Sequence, residues 1–263
     1  MLIFLKLGGS LITNKTRPYT PRLEVLDDLA VQISMVFQEN SGMRLVLGHG
    51  SGSFGHEAAS QFGTRTGVSG KKAWRGFAEV WYQASTLNRL VVTAMRNAGL
   101  PAVTLSPLAA VTARDGQVIS WDLAPLEAAL ENGLLPILQG DVVFDQTRGG
   151  TILSTEDLFA HLARQLHPKR ILLAGLETGV WEDFPLRTHI IGEMSLQSFE
   201  QYAMSLGGST GADVTGGMKA KVTEMLSLVE QVPGLEVLIF SGETPGSVRR
   251  ALQGENPGTL LHC

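Results

Sequence analysis

Two short apolar runs, each breaking into a glycine loop and separated by a helical stretch, constrain this 263-residue chain more than any other feature. Leu2 to Leu7 is almost wholly apolar and stops at Gly8-Gly9. Arg44 to Leu47 is apolar after its first residue and runs into Gly48-His49-Gly50-Ser51-Gly52-Ser53-Phe54-Gly55-His56. Runs this short, apolar on both faces, fit strands buried on both sides of a parallel sheet. Between them, Leu26, Leu29, Ile33 and Val36 recur at helical spacing within Leu23 to Phe37, which completes a β-α-β unit.

The alternation continues. Phe77 to Asn97 predicts a long helix, Ala102 to Leu105 a strand, Leu123 to Asn132 a helix and Leu135 to Leu138 a strand. Val142 to Phe144 and Thr151 to Leu153 flank a polar, glycine-containing turn and predict a β-hairpin. A helix from Thr155 to Gln165 and a strand from Arg170 to Leu173 follow. The last third reads as a less regular stretch around Trp181 to Ile191, a helix Leu196 to Met204, a glycine loop, a helix Met218 to Val229 and a strand Val237 to Phe240. Strands alternating with helices imply an α/β fold with a parallel sheet. No internal repeat, low-complexity tract or linker marks a boundary, so one large domain or two small ones both fit 263 residues.

Composition closes off several function classes. With 44% hydrophobic and 17% charged residues the chain has material for a sizeable core and is too apolar for intrinsic disorder. Twenty-one basic against twenty-five acidic residues give a net charge of −4, which offers no generally basic surface to a nucleic acid, and none is expected as a partner. The single cysteine, Cys263, excludes an internal disulfide and points to a reducing, cytoplasmic setting. No stretch reaches the 18 apolar residues of a spanning helix and the start lacks a basic leader, so a soluble, unprocessed protein without a membrane partner is expected.

Three segments are suited to anions. Lys6 lies one residue before the end of the first strand and is followed by Gly8, Gly9 and Ser10, so backbone N–H groups and a point charge meet an anion together. A lysine inside an apolar strand also needs a partner for its charge. The second loop holds four glycines, two serines and two histidines in nine residues and no carboxylate. It is not a P-loop, because no Gly-Lys-Ser/Thr closes it, and it lacks the acidic ribose partner of a dinucleotide fingerprint. His56, at the start of the following helix, is the histidine placed to donate to a phosphate oxygen, with a purely structural role as the competing reading; for His49, beside the strand, the structural role is preferred. The third segment, Asp213 to Lys221, turns through Gly216-Gly217 into a helix whose first turns carry Lys219 and Lys221. Two cations there oppose the helix dipole unless an anion sits between them and the amides, and at about 200° apart only one of them faces it. Asp141, Glu156 and Asp157 are the nearest carboxylates, either for an indirect magnesium role or, equally, as a strand-end aspartate and a helix cap in Ser154-Thr155-Glu156-Asp157. Three anion-seeking loops suggest a nucleoside triphosphate with a second anionic substrate, hence phosphoryl transfer.

Taken in order, KLGGS (Lys6 to Ser10), HGSGSFGH (His49 to His56), QGD (Gln139 to Asp141), STEDL (Ser154 to Leu158) and DVTGGMKAK (Asp213 to Lys221) resemble the amino acid kinase superfamily across essentially the whole chain. The GSFGH histidine, Lys15 in ITNK, the GFAEVWYQASTLNRLVV stretch and Ser106-Pro107 resemble its isopentenyl phosphate kinase family. The resemblance implies a single domain over 1–263, a three-layer αβα sandwich with a mostly parallel central sheet, typically a homodimer, that uses ATP and Mg2+ to phosphorylate an isoprenoid monophosphate, isopentenyl phosphate, in the alternative mevalonate route. An acceptor-substrate half of about 1–145 and a nucleotide half of about 146–263 are implied. By the same resemblance Lys6, Lys15 and His56 are the catalytic residues. Gly8, Gly9, Ser10, Lys15, Gly52, Gly175, Gly216, Lys219 and Lys221 join Lys6 around ATP, and Ser51, Gly52, Gly55, His56, Gly140 and Asp141 surround the acceptor phosphate. No metal ligand is assigned.

The chemistry read from residues agrees, since a phosphate monoester is largely dianionic at neutral pH and needs alignment and positive charge rather than a general base. One departure stands out. The superfamily's acidic pair before Gly-Val is replaced by Ala174-Gly175-Leu176-Glu177-Thr178-Gly179-Val180, in which only Glu177 is acidic. Phe77, Val80, Trp81 and Leu87 are candidates for the wall around an isoprenoid tail, with one of Trp81 and Tyr82 facing it, although core packing explains most of them as well. A sister kinase acting on a phosphonate antibiotic such as fosfomycin or another small acid, and a non-catalytic nucleotide-binding module, are the alternatives.

Overall fold

The computed structural model describes residues 1–40, 42–202 and 217–263. In chain order, strand β1 (Leu2–Leu7) leads through the short helix α1 (Gly9–Ile12) to α2 (Leu23–Glu39), β2 (Arg44–His49), α3 (Gly52–Phe62), a 3-10 turn (Thr64–Thr66) and the long α4 (Gly70–Asn97). Then follow β3 (Ala102–Thr104), α5 (Pro107–Ala110), β4 (Val111–Arg114), β5 (Gln117–Trp121), α6 (Ala124–Glu131), β6 (Leu135–Gln139), β7 (Asp141–Asp145), β8 (Gly149–Leu153) and α7 (Thr155–Leu166). The remainder comprises β9 (Arg170–Gly175), β10 (Val180–Trp181), β11 (Ile190–Ile191), β12 (Glu193–Ser195), α8 (Leu196–Tyr202), α9 (Gly217–Gln231), β13 (Glu236–Ser241), α10 (Ser247–Leu252) and β14 (Gly258–His262).

β1 lies inside an eight-stranded sheet of order β12-β14-β13-β9-β1-β2-β6-β3, parallel throughout except where β13 meets β14. Its alternating side chains show why it is apolar on both faces. Ile3, Leu5 and Leu7 pack with α2, α4 and α10, while Leu2 and Phe4 pack with α6, α7 and α9. Two helical layers thus cover one sheet, the expected three-layer sandwich. Because β1, β2, β6 and β9 run in the same direction, their carboxyl ends open on one edge, and both glycine loops lie there.

The β7–β8 hairpin forms as expected but belongs to a second sheet, β5-β4-β7-β8, whose β4–β5 hairpin is an addition to the elements expected from sequence. Its turn is Asp115-Gly116, both at positive φ (55° and 78°), the kind of dipeptide that most strongly favours a two-residue hairpin turn. The irregular stretch after Val180 contains the small β10–β11 pair, and α4 begins at Gly70 rather than Phe77. The helix expected to reach Met204 is described to Tyr202. Among the described residues no helix is long and apolar enough to cross a membrane.

Candidate active site

The two glycine loops touch each other, and this explains their glycines better than ligand contact alone. A Cβ on Gly9 would collide with the backbone nitrogen of Gly52, and one on Gly50 would lie 2.8 Å from that of Gly9. Gly52 adopts φ +49°, and a side chain there would strike Thr13 Oγ1. Thr13 fastens the contact, donating to the Gly9 carbonyl at 2.7 Å and accepting the Ser53 N–H at 3.0 Å. Gly8 donates its N–H to the Ala174 carbonyl at 2.8 Å, so the β1 loop is also tied to the end of β9.

Above these loops lies a cavity of about 1030 Å³ lined by residues from both halves of the chain. Lys6, Gly8, Gly9, Ser10, Lys15, Ser51, Gly52, Gly55, His56, Gly140, Asp141, Gly175 and Lys221 all border it. The expected site residues are therefore brought together, with two exceptions. Lys219 is exposed and outside the lining, so of the two lysines Lys221 is the one that borders the cavity. Gly216 lies outside the described residues.

At the centre, the Lys6 ammonium forms an ion pair with Glu156. Glu156 is the second residue of α7, whose start is fixed by a reciprocal cap: Ser154 Oγ accepts the Asp157 N–H at 3.0 Å and Asp157 accepts the Ser154 N–H at 2.7 Å. Thr155 Oγ1 donates to the His49 carbonyl at 2.7 Å, and Gly48 leaves the space Thr155 and Phe159 occupy, so α7 is seated directly on β2. Burial alone would raise the Glu156 pKa, but Lys6 and Lys221 hold it down to about 2. Burial lowers the pKa of Lys6 in turn, with Lys221 adding to the effect and Glu156 opposing it. The capping reading of this segment is correct for Ser154 and Asp157 and incomplete for Glu156, which is the partner that a strand-borne lysine requires. Among the described residues no cluster of three or more His, Cys, Asp or Glu is suited to a metal ion.

His56, in the first turns of α3, is exposed at the cavity, whereas His49 is buried and bonded to the Asn88 side chain and the Gly50 carbonyl, each at 3.1 Å. Burial lowers the His49 pKa. Asp141 is buried at the cavity floor, accepting the Val142 N–H at 2.8 Å and the Gln139 amide at 3.1 Å. Burial raises its pKa to about 7 against the pull of those two bonds.

The apolar lining includes an aliphatic group and an aromatic-containing one. Ala59, Val80 and Ile152 form the first, backed by Ala58, Val68, Phe77 and Val142. Leu176, Trp181, Phe184 and Met218 form the second. Of the four residues expected to wall an isoprenoid tail only Val80 borders the cavity. Phe77 packs with Trp74 and Phe144, Leu87 belongs to the main core, and Trp81 and Tyr82 are 39% and 60% exposed on the outside of α4. The reason is helical phase: Val80 and Ala84 share the inward stripe of α4, and positions 81 and 82 point about 100° and 200° away from Val80. Arg65, Trp181, Phe184 and Arg187 also border the cavity and were missed by sequence reasoning, because nothing in a polar loop or an irregular hairpin marks them.

The amino acid kinase family profile matches residues 1–241. Isopentenyl phosphate kinase of Methanothermobacter thermautotrophicus is 34% identical over 97% of this chain and 96% of its own length. Isopentenyl phosphate kinase of Haloferax volcanii is likewise 34% identical, over 99% and 98%. Among solved structures, an isopentenyl phosphate kinase superposes with a TM-score of 0.82 at 28% identity, covering 99% of this chain and all of the other.

Proposed function

The chain belongs to the amino acid kinase family and, within it, to the isopentenyl phosphate kinases, and from that premise we propose that it transfers the γ-phosphoryl group of ATP to isopentenyl phosphate, giving isopentenyl diphosphate and ADP. The observation that carries this reading is the Lys6–Glu156 pair, with Lys221 near it, in a single cavity that also presents aliphatic and aromatic side chains. A five-carbon tail suits Ala59, Val80 and Ile152; a flat base suits Trp181 and Phe184.

The acceptor oxygen is already ionised at neutral pH, so direct in-line transfer needs no general base. Ser51, Gly52, Gly55, His56 and Gly140 hold the acceptor phosphate, with Asp141 at its edge. Gly8, Gly9, Ser10, Lys15 and Lys221 hold the nucleotide phosphates, and Gly175 gives the nucleoside open space, since a Cβ there meets nothing within 4 Å. Lys6, fixed by Glu156, offsets the charge on the phosphoryl group in transit. Magnesium would come with the nucleotide as part of that substrate, and Glu156, an acid bordering the cavity, is paired with Lys6.

We assign about 1–145 to the acceptor half and 146–263 to the nucleotide half, with β8 crossing back to line the acceptor site. The exposed Trp81 and Tyr82 on α4 supply an apolar face that a homodimer would cover. The lone exposed Cys263 suits a cytoplasmic setting. Neither a phosphonate or small-acid kinase nor a regulatory module is favoured, given nearly full-length relatives named isopentenyl phosphate kinase.

A coupled ADP-release assay with ATP and magnesium tests the proposal, comparing isopentenyl phosphate with fosfomycin, acetylglutamate, carbamate and UMP. Selective turnover of isopentenyl phosphate is expected, with His56→Ala lowering kcat/KM roughly 10²-fold or more. Turnover confined to another acceptor, or none at all, overturns it.

A further inference from the structure

The aromatic-containing part of the cavity lining holds an arrangement that phosphoryl transfer does not itself require. Glu177, in the turn after β9, is gripped from two sides: Trp181 donates its indole N–H to Oε2 at 2.8 Å, and Arg187 Nη1 lies 3.4 Å from Oε1. Arg187 sits 5.5 Å above the Phe184 ring and has a φ of +58°. The tip that carries it is fixed by Asp183, which accepts the Thr188 and His189 N–H groups at 3.1 and 3.2 Å. All four residues, Glu177, Trp181, Phe184 and Arg187, border the cavity. A carboxylate offers about four acceptor directions, so two bonds leave room for a ligand's donor.

The chemistry narrows what that ligand group is. Polyphosphate belongs near Lys6 and Lys221, and a carboxylate beside it would repel it. Beside Trp181, Glu177 can meet a flat neutral ring that presents an N–H. A ring that presents a carbonyl oxygen at the same place sets two acceptors face to face. The geometry points to Glu177 as the specificity-determining residue for the nucleotide: it accepts a hydrogen bond from the exocyclic amino group of a 6-aminopurine base bound beside Trp181 and Phe184, with Trp181 and Arg187 fixing its carboxylate. This assignment rests on the nucleotide-dependent kinase reading and says which nucleotides that kinase takes.

Calorimetric binding to the full-length protein with magnesium and no acceptor tests it directly. The probes are ATP, ITP, in which a keto oxygen replaces the amino group, and purine riboside triphosphate, which lacks the group. Wild type is expected to bind ATP at least about tenfold more tightly than ITP, with purine riboside triphosphate between them. Glu177→Gln, whose amide can turn a donor toward the keto oxygen, is expected to bring ATP and ITP within about threefold. Trp181→Phe keeps a ring and removes the indole N–H, and is expected to narrow the ratio without abolishing binding. Equal affinity of wild type for ATP and ITP, or an undiminished ratio in both variants, overturns the assignment. Absence of ADP release with isopentenyl phosphate would overturn the proposed function instead, and the binding ratio stays readable in that case.

Discussion

Lys6 and Glu156 join a buried strand to the first turn of a helix, and no other carboxylate pairs with that ammonium among the described residues. Three things favour the charge on Glu156: Lys6, Lys221 and the N-terminal end of α7. Removing it leaves the Lys6 ammonium, already disfavoured by burial and by Lys221, without its counter-charge. Glu156→Gln is therefore expected to lower kcat roughly 10²-fold, the scale for misplacing one preorganised transition-state donor. Lys6→Ala should do the same, and the double variant should cost much less than the sum of the two, because both act through one contact. Steady-state kinetics of the four proteins check this. Additive losses would mean that the pair does not act as a unit. The pair also predicts acid sensitivity. A carboxyl held down to about 2 contributes stability that is present above its unfolded pKa near 4.5 and is lost as pH falls toward 2, so the wild-type melting temperature should drop over that range more than that of Glu156→Gln.

Lys219 and Lys221 provide an internal control on the same helix. Only Lys221 borders the cavity, whereas Lys219 is exposed. Lys221→Ala is expected to raise the KM for ATP and lower kcat by at least about tenfold, and Lys219→Ala to change either by less than about threefold. Equal effects would place the helix in a different rotational setting from the one described.

The sheet, its layering and the position of the cavity were legible because they depend on short-range signals: doubly apolar strands, helical spacing, and glycines where strands end. That Lys6, Lys15, Lys221 and His56 border the cavity was legible for a related reason, since charged and donor groups beside glycine turns have few structural uses. Glu156 was hidden because its sequence context, Ser154 to Asp157, already had a complete explanation as a helix cap, and only the fold places β1 beneath it. The β4–β5 hairpin was missed although Asp115-Gly116 marks it, since strands this short carry little periodicity. Most candidates for the tail wall lie off the cavity for a different reason. Phe77, Trp81 and Tyr82 are conspicuous by size, yet the cavity is bordered at that point by the smaller Val80, selected by helix phase and by the approach of β8.

Val80 therefore carries the prediction on acceptor length. It is 2% exposed, borders the cavity, and has Phe77 and Val142 behind it in the same cluster. Val80→Ala should enlarge the aliphatic part of the cavity at a stability cost of about 1 to 2 kcal/mol. The ratio of kcat/KM for geranyl phosphate to that for isopentenyl phosphate should rise at least about tenfold, while Trp81→Ala, on the outer face of α4, should leave it unchanged. A ratio that moves with Trp81 and not with Val80 would contradict the described packing.

Asp141 makes the last prediction, and its sign opposes that of Glu156. It is buried beside Gln139, whose Oε1 has no hydrogen-bond partner while its amide nitrogen donates to Asp141 Oδ2. Burial raises the Asp141 pKa to about 7 from 3.8. The folded protein thus holds a proton that the unfolded chain has lost, and stability falls as pH rises from about 4 to 7, by up to about 4 kcal/mol. Asp141→Asn cannot ionise and still accepts the Val142 N–H. If the Gln139 amide turns over, its oxygen accepts from the side-chain nitrogen that the substitution introduces and its own nitrogen takes the place where the oxygen had no partner, so one buried polar atom is unpaired before and after. The melting temperature of Asp141→Asn should exceed that of wild type at pH 8, and the difference should shrink steadily toward pH 5. Thermal melts at unit intervals of pH measure this, and a difference that is independent of pH would show that Asp141 titrates as an ordinary surface carboxylate.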